Sequence, residues 1–281
     1  MAGAAPLLSL IEQRAGSFSA SQTRLARQLT ASRESFAFST ASEIARLCEV
    51  SEATVVRFAQ ELGFSGYPAL QKEVRRILRA DLKGTDRLQL AERSAAPGPL
   101  DPVIAKEREN IAALAEGFDA AALAAAAKAL RGARRVLVVG DRATASLAFH
   151  LWFALDKLGL PVTRAQGTEA LDALGRMGAP DAVVVIGFPR YLRSLVALLG
   201  FAGTRGVRRI VVTDSPFSAL RGEIALHAPA ESASFVAFHA APLILLNALV
   251  QEVVAADRAA SRRALAEFEA TAEAGGYFQP S

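Results

Sequence analysis

The chain has 281 residues, 52% of them hydrophobic and 21% charged, which is enough apolar material for two ordinary domains and too much for a disordered chain. With 32 Lys and Arg against 28 Asp and Glu, the net charge is +4, a mildly basic balance that suits an anionic partner. The single cysteine, Cys48, excludes an internal disulfide and argues against a thiolate metal site. The absence of a basic-then-apolar leader or a bilayer-length apolar run leads to the expectation of a cytoplasmic protein that does not span a membrane.

Residues 6–35 carry two weak helical patterns, one from Leu7, Leu8 and Ile11 and one from Leu25 and Leu29 flanked by Arg24, Arg27 and Arg33; their expected task is to brace the helix pair after them. That stretch, Thr40 to Phe64, is the most informative in the chain. Thr40-x-x-Glu43 is a capping box, in which a hydroxyl and a carboxylate satisfy orphan amides at a helix start. Ile44, Leu47 and Cys48 then predict one apolar face, which makes Cys48 a buried structural thiol. Glu49 and Val50 carry a turn, and Ser51 caps a second helix. Val55, Phe58, Ala59 and Leu62 fall on one side of that helix and are predicted to pack on the first. Gly63 stands where a left-handed C-cap residue is wanted, with Phe64 closing it by an apolar contact.

The other side of the second helix is left with Glu52, Ala53, Thr54, Val56 and Arg57 near its N-terminal end, the end of a recognition helix that meets base edges in a major groove. Arg57 can donate a bidentate pair to guanine or hold a phosphate, and the Ser51 and Thr54 hydroxyls suit phosphate oxygens. The competing account is an ordinary helical hairpin in a core; small Ala45, the three-residue turn and the Val55/Phe58 pair favour helix-turn-helix. After Ser65-Gly66-Tyr67, Pro68 opens another helix with Leu70, Val74, Ile77 and Leu78 inside. Lys72, Arg75, Arg76 and Arg79 give it a basic side, read equally as salt-sensitive phosphate contacts or as a solvated face.

Gly84, Pro97, Gly98 and Pro99 mark 81–103 as a linker. Ala-rich helix follows over 104–130, broken near Gly117 to Asp119. From Arg135 the period changes: VLVVG (136–140), VTRA (162–165), VVVIG (183–187), IVVT (210–213) and IALHA (224–228) alternate with helical stretches near 143–158, 168–177 and 191–204. Alternation of this kind predicts a parallel, doubly wound sheet covered on both faces, with ligands beyond the carboxyl ends of its strands. Helix returns over 235–256, and a charged helical tail from Arg258 to about Ala272 ends at Gly275-Gly276.

VSEATVVRFAQELGFSGYPAL (Val50 to Leu70) closely resembles the N-terminal domain of RpiR-type bacterial transcription regulators, and the rest of the chain resembles the sugar isomerase (SIS) domain that they carry. The resemblance implies an all-α helix-turn-helix domain over 1–80, the linker, an SIS-like α/β domain over 104–256 for effector binding and dimerisation, and the helical tail over 257–281. It further implies a five-stranded parallel sheet of order 2-1-3-4-5. Glu49 departs from many helix-turn-helix sequences, which have glycine at that turn position.

The expected DNA-binding residues are Ser51, Glu52, Ala53, Thr54, Val56, Arg57 and Lys72. The expected effector residues lie in two loops. In the first, Gly140, Arg142, Thr144 and Ser146 match the phosphosugar loop of SIS domains, with Thr144 keeping a hydroxyl and Arg142 replacing a glycine. In the second, Gly187, Arg190, Tyr191 and Arg193 stand where such domains place a Ser/Thr cluster; Gly187, Pro189 and Leu192 occupy the hydroxyl positions. Asp214, within Thr213-Asp214-Ser215, is a further wall, and Glu231, Ser232 and Ser234 precede the last long helix. Guanidinium groups in place of hydroxyls admit a carboxylate as readily as a phosphate, so the expected ligand is a small anionic metabolite, a phosphosugar or an organic acid. The bland account is that these arginines are surface charges.

His150, His227 and His239 fall in no recognisable catalytic motif, and no metal cluster, nucleophile elbow or Walker loop is evident, so no cofactor and no turnover are expected. Three readings are open: a ligand-responsive regulator binding double-stranded DNA as a homodimer, a sugar-phosphate isomerase with an appended helical domain, and an assembly module without ligand.

Overall fold

A computed structural model describes residues 6–93, 98, 100–232, 234, 236 and 240–278. The chain divides into two compact units, Met1–Gln89 and Leu90–Ser281. The first is helical: α1 (Pro6–Arg14), α2 (Ala20–Ala31), α3 (Arg33–Phe38), α4 (Ala41–Leu47), α5 (Glu52–Glu61), α6 (Tyr67–Asp81) and the beginning of α7 (Gly84–Arg93). The α3 turn has no counterpart in the two expected patterns of 6–35, and α7 lies in the stretch read as a linker. Both are short, and their apolar residues are too few to show a period.

Helix starts are set by local chemistry. Ser19 and Gln22 form a reciprocal capping box on α2, and Thr40 and Glu43 form another on α4, each worth about 1 kcal/mol. Ile44, Val55, Phe58, Ala59, Leu62, Leu70 and Val74 are completely or almost completely enclosed, and Phe18 packs its ring 5.6 Å from that of Phe58. Leu47 does not join this core; it is 55% exposed, while its neighbours Ala45 and Cys48 are buried. The inward face of α4 is therefore carried by Ile44, Ala45 and Cys48, one step round from the expected Ile44, Leu47 and Cys48. Burial pushes the Cys48 thiol up, away from its reactive form. Tyr67 bonds the carbonyls of Phe36 and Ser39, and burial raises its phenol to about 12.

The second unit opens with α8 (Asp101–Glu116) and α9 (Ala120–Gly132), then alternates strand and helix: β1 (Val136–Gly140), α10 (Ala145–Lys157), β2 (Val162–Ala165), α11 (Gly167–Gly175), β3 (Ala182–Ile186), α12 (Arg193–Thr204), β4 (Arg208–Thr213), β5 (Ile224–His227), α13 (Ala240–Ala256) and α14 (Arg258–Ala274). The sheet is wholly parallel in the order β2-β1-β3-β4-β5, as expected. Its strands alternate between two cores. Val136 and Val138 join α9, α10 and α13 on one face, while Leu137 and Val139 join α11 and α12 on the other. Of the last long helix expected from 235, residues 235 and 237–239 lie outside those described.

At the amino end of the sheet the fully enclosed Asp181 carboxylate accepts from Arg134 (3.0 and 2.9 Å), Arg135 (2.9 Å) and the Gly178 amide (3.1 Å). The Arg134 guanidinium, followed by Arg135 and the Gly178 amide, holds this carboxyl well below the usual carboxylate range against the opposing effect of burial. No single helix among the described residues is long and apolar enough to cross a membrane.

Candidate nucleic-acid interface and effector site

The turn between α4 and α5 is itself a helix C-cap. The Val50 amide reaches the Ala45 carbonyl (2.9 Å) and the Glu49 amide the Arg46 carbonyl (3.2 Å), with Glu49 in the left-handed region at φ 53°. This is the strain expected of a side chain where glycine is usual. Arg24 of α2 steadies the turn: its Nε donates to the Cys48 carbonyl and Nη2 to the Glu49 carbonyl, each at 3.0 Å. A cation on the last carbonyls of a helix also suits the helix dipole. The bracing role expected of the first helices thus rests on a specific clamp. The far end of α5 closes in the same way, with Gly63 at φ 89°, the Phe64 amide on the Ala59 carbonyl (3.0 Å) and the Phe64 ring buried.

Between these caps α5 turns Val55, Phe58 and Ala59 inward and leaves Ser51, Glu52, Ala53 and Arg57 exposed, with Thr54 and Val56 half-exposed beside them. Ser51, Thr54 and Arg57 form an i, i+3 ladder: Ser51 Oγ lies 2.8 Å from Thr54 Oγ1, which accepts from Arg57 Nη2 at 3.4 Å. Ser51 Oγ also accepts from the Thr54 amide, capping the helix. The polar groups are thereby oriented while keeping their outer atoms in solvent.

Lys72 is exposed on α6, and two of the arginines around it also serve the fold. Arg75 donates to the Ala37 carbonyl at 2.5 Å, and Arg76 grips the buried Glu73 carboxylate with two bonds of 2.9 and 2.7 Å. Arg75 caps the end of α3 while staying exposed, as Lys72 and Arg79 do, and Arg76 neutralises a carboxylate that the helix buries.

In the second unit the two expected loops both leave the carboxyl edge of the sheet, after β1 and β3, which are paired neighbours where the strand order reverses. Gly140 serves packing: a Cβ there would stand 2.6 Å from the Thr144 carbonyl and 2.9 Å from the Ala148 Cβ, so its absence lets α10 approach β1. Gly187 similarly leaves room for Leu220. Thr144 is buried, 8% exposed, and its hydroxyl donates to the Ile186 and Asp141 carbonyls, both at 3.0 Å. In this geometry the hydroxyl ties the first loop to the end of β3. Ser146 remains exposed at the start of α10, with its hydroxyl on the Ala143 carbonyl.

Arg142 and Arg190 both have left-handed backbones, at φ 57° and 71°, and with Arg193 they are exposed and have no hydrogen bond or ion pair among the described residues. Tyr191 and Asp214 meet, the phenol donating to Oδ1 of the carboxylate, which also accepts from Thr213 Oγ1 at 3.2 Å. Sequence reasoning missed Asp141 as an organiser. Its Oδ1 accepts from the Gly167 amide (3.0 Å), fastening the start of α11 to the first loop, and only the folded chain brings these two residues together.

Of the histidines, His150 bonds Asn247 at 2.7 Å between α10 and α13, and His227 lies in β5, where burial draws its imidazole toward the neutral form. His239 lies outside the described residues. Ser232 Oγ accepts from the Ser234 amide at 2.8 Å, which makes a local turn. Among the described residues no cluster of His, Cys, Asp and Glu is arranged to hold a metal ion.

Comparison with known proteins assigns both units. Residues 5–80 match the model of the helix-turn-helix domain of the rpiR family, and residues 129–251 match that of the SIS domain. An uncharacterized HTH-type transcriptional regulator of Caldanaerobacter subterraneus is 22% identical over 233 residues, 82% of each chain. The sugar isomerase domain of an RpiR transcription factor from Sphaerobacter thermophilus superposes with a TM-score of 0.57 at 26% identity, covering 59% of this chain and 96% of that one. The NanR protein of Vibrio vulnificus, solved in complex with ManNAc-6P, has the same fold over 95% of this chain and 97% of its own, with a TM-score of 0.55 at 19% identity. A helix-turn-helix domain of the rpiR family followed by a SIS domain places the chain in the RpiR family of transcription regulators.

Proposed function

We propose that two copies of the chain bind double-stranded DNA through α5, and that a small anionic metabolite at the carboxyl edge of the sheet sets the affinity, in control of metabolic genes in the cytoplasm. The observation that carries this reading is the free outer face of α5, where Ser51, Glu52, Ala53 and Arg57 are exposed and pre-oriented on a clamped turn. Thr54, Val56 and Lys72 complete the surface. A pair is needed because two recognition helices address half-sites roughly 34–36 Å apart. The exposed Phe149 and Phe153 of α10, with rings stacked 6.4 Å apart, offer an apolar face for the contact between copies.

Arg142, Arg190 and Arg193 supply the charge for an anion, with Gly140, Ser146, Gly187, Tyr191 and Asp214 around them. The ManNAc-6P complex of NanR supports a phosphosugar as the ligand class; guanidinium groups standing in place of hydroxyls support an organic acid. Binding without turnover is the reading that the regulator family favours over an isomerase.

The test is fluorescence anisotropy at fixed salt on duplex from upstream of the protein's own gene. Arg57→Ala is expected to lower affinity by about tenfold and to relax sequence preference. Equal, sequence-blind binding by wild type and variant would sink the reading.

A further inference from the structure

We infer that Glu107 and Asn110 form a latch by which α8, the first helix of the second unit, reports ligand occupancy at the strand ends to the DNA-binding unit. The inference rests on the regulator reading above and specifies how its ligand site is coupled to DNA.

The two residues lie one turn apart on the same side of α8. Asn110 is a buried polar residue, 3% exposed, and its Nδ2 donates to the Glu231 carbonyl at 2.8 Å and to Glu107 Oε2 at 3.4 Å. Glu107 Oε1 accepts from the amide of Ala240, the first residue of α13, at 3.0 Å. One carboxylate and one amide therefore hold Glu231, four residues past β5, and Ala240, where α13 begins. The Glu107 carboxylate is also the group that a helix N-terminus favours, because it answers an amide with no partner inside the helix and opposes the dipole.

Residues 228–232 border the proposed ligand edge. The Ala228 amide still pairs with the Thr213 carbonyl (2.8 Å), so the chain leaves β5 at the same carboxyl edge as Asp214. Helix α13 runs beside α10, joined by the His150–Asn247 bond, and each follows a strand of the same parallel sheet and runs back across one face of it. Their first turns, at Ala145 and Ala240, therefore lie at one end, with the Arg142 loop leading into α10.

Beyond the latch, α8 packs along α13, with Leu114 in the core. Asn110 and Leu114 are its buried residues, while Val103, Ile104 and Ile111 are more than a third exposed. A helix with one apolar anchor and a few polar bonds beside a ligand edge, continuous in sequence with the segment leading to the DNA-binding unit, is suited to two discrete positions. A ligand that draws residues 228–232 toward Arg142 changes the grip at Glu231 and so the seat of α8. The coupling arises because the ligand favours one seat over the other.

The experiment uses the full chain without ligand, in two measurements. In hydrogen exchange, Glu107→Ala and Asn110→Ala are each expected to raise exchange in the first turns of α8 and at 228–232 together, with Glu107→Gln, which keeps an acceptor for the Ala240 amide, close to wild type. Changes confined to one side overturn the latch. In duplex binding, both alanine variants are expected to shift Kd by about threefold or more. A tenfold loss in Arg57→Ala with no shift in either alanine variant overturns the latch alone. Arg57→Ala binding as wild type does overturns the DNA reading, and the latch with it.

Discussion

Helices α5 and α10 begin alike, each with two hydroxyl side chains near its first turn, yet the two pairs end differently. In α5, Ser51 and Thr54 bond each other and their own helix, and stay at the surface with Arg57. In α10, Thr144 turns inward and gives its hydroxyl to the Ile186 carbonyl at the end of β3. The difference comes from the neighbours. A helix pair satisfies its backbone internally, so its outer side chains remain unspent. The last carbonyls of a parallel strand have no further ladder partner, and a nearby hydroxyl is used to satisfy them. A hydroxyl at a matching family position is therefore no guarantee of a ligand contact in the sheet unit.

This contrast can be broken or sharpened by mutation, most strongly at Asp181. Asp181→Asn removes a carboxylate enclosed at the sheet base and leaves Arg134 and Arg135 without it; a loss of about 2–3 kcal/mol is expected in the melting transition of the sheet unit, with the helical unit unchanged. Because the folded carboxyl lies below its unfolded value of about 4, its contribution is complete above that pH and drains away as pH falls further. Melts between about pH 5 and 2 should show a steep acid loss in wild type below about pH 4 and a flatter one in Asp181→Asn.

Thr144→Val tests the inward hydroxyl directly. Leaving the Ile186 carbonyl without this donor should cost about 1–2 kcal/mol of sheet-unit stability in denaturant titration, whereas Ser146→Ala should stay close to wild type. An unchanged midpoint in Thr144→Val would return that hydroxyl to the ligand site. The smallest effect is expected in the other unit and has the opposite sign. Glu49→Gly relieves a left-handed side chain at the helix turn, and should raise the stability of the helical unit by about 1 kcal/mol, read as a higher melting temperature.

Much of the helix-turn-helix was legible because it is local. Thr40 and Glu43, Ser51 and Thr54, and Gly63 and Phe64 act within one or two turns, so spacing alone predicts the caps, the inward face of α5 and the exposed Arg57. Leu47 was misplaced because Ile44, Leu47 and Cys48 fit a helical face as well as Ile44, Ala45 and Cys48 do, and only the packed neighbours choose between them. One bond made by the basic side of α6 was hidden for a related reason. Arg75 finds the Ala37 carbonyl 38 residues away, a partner that no periodicity announces.

The sequence by itself determined the two-unit plan, the alternation that builds a parallel sheet, and the residues that face outward from α5, since each follows from propensity, period and capping over short spans. Only the tertiary structure decided that Thr144 is spent on Ile186, that Arg24 clamps the turn before α5, and that Glu107 and Asn110 grip residues more than a hundred positions later. Those choices depend on which unsatisfied backbone groups the fold brings beside a donor or acceptor, and that is fixed only when distant segments pack.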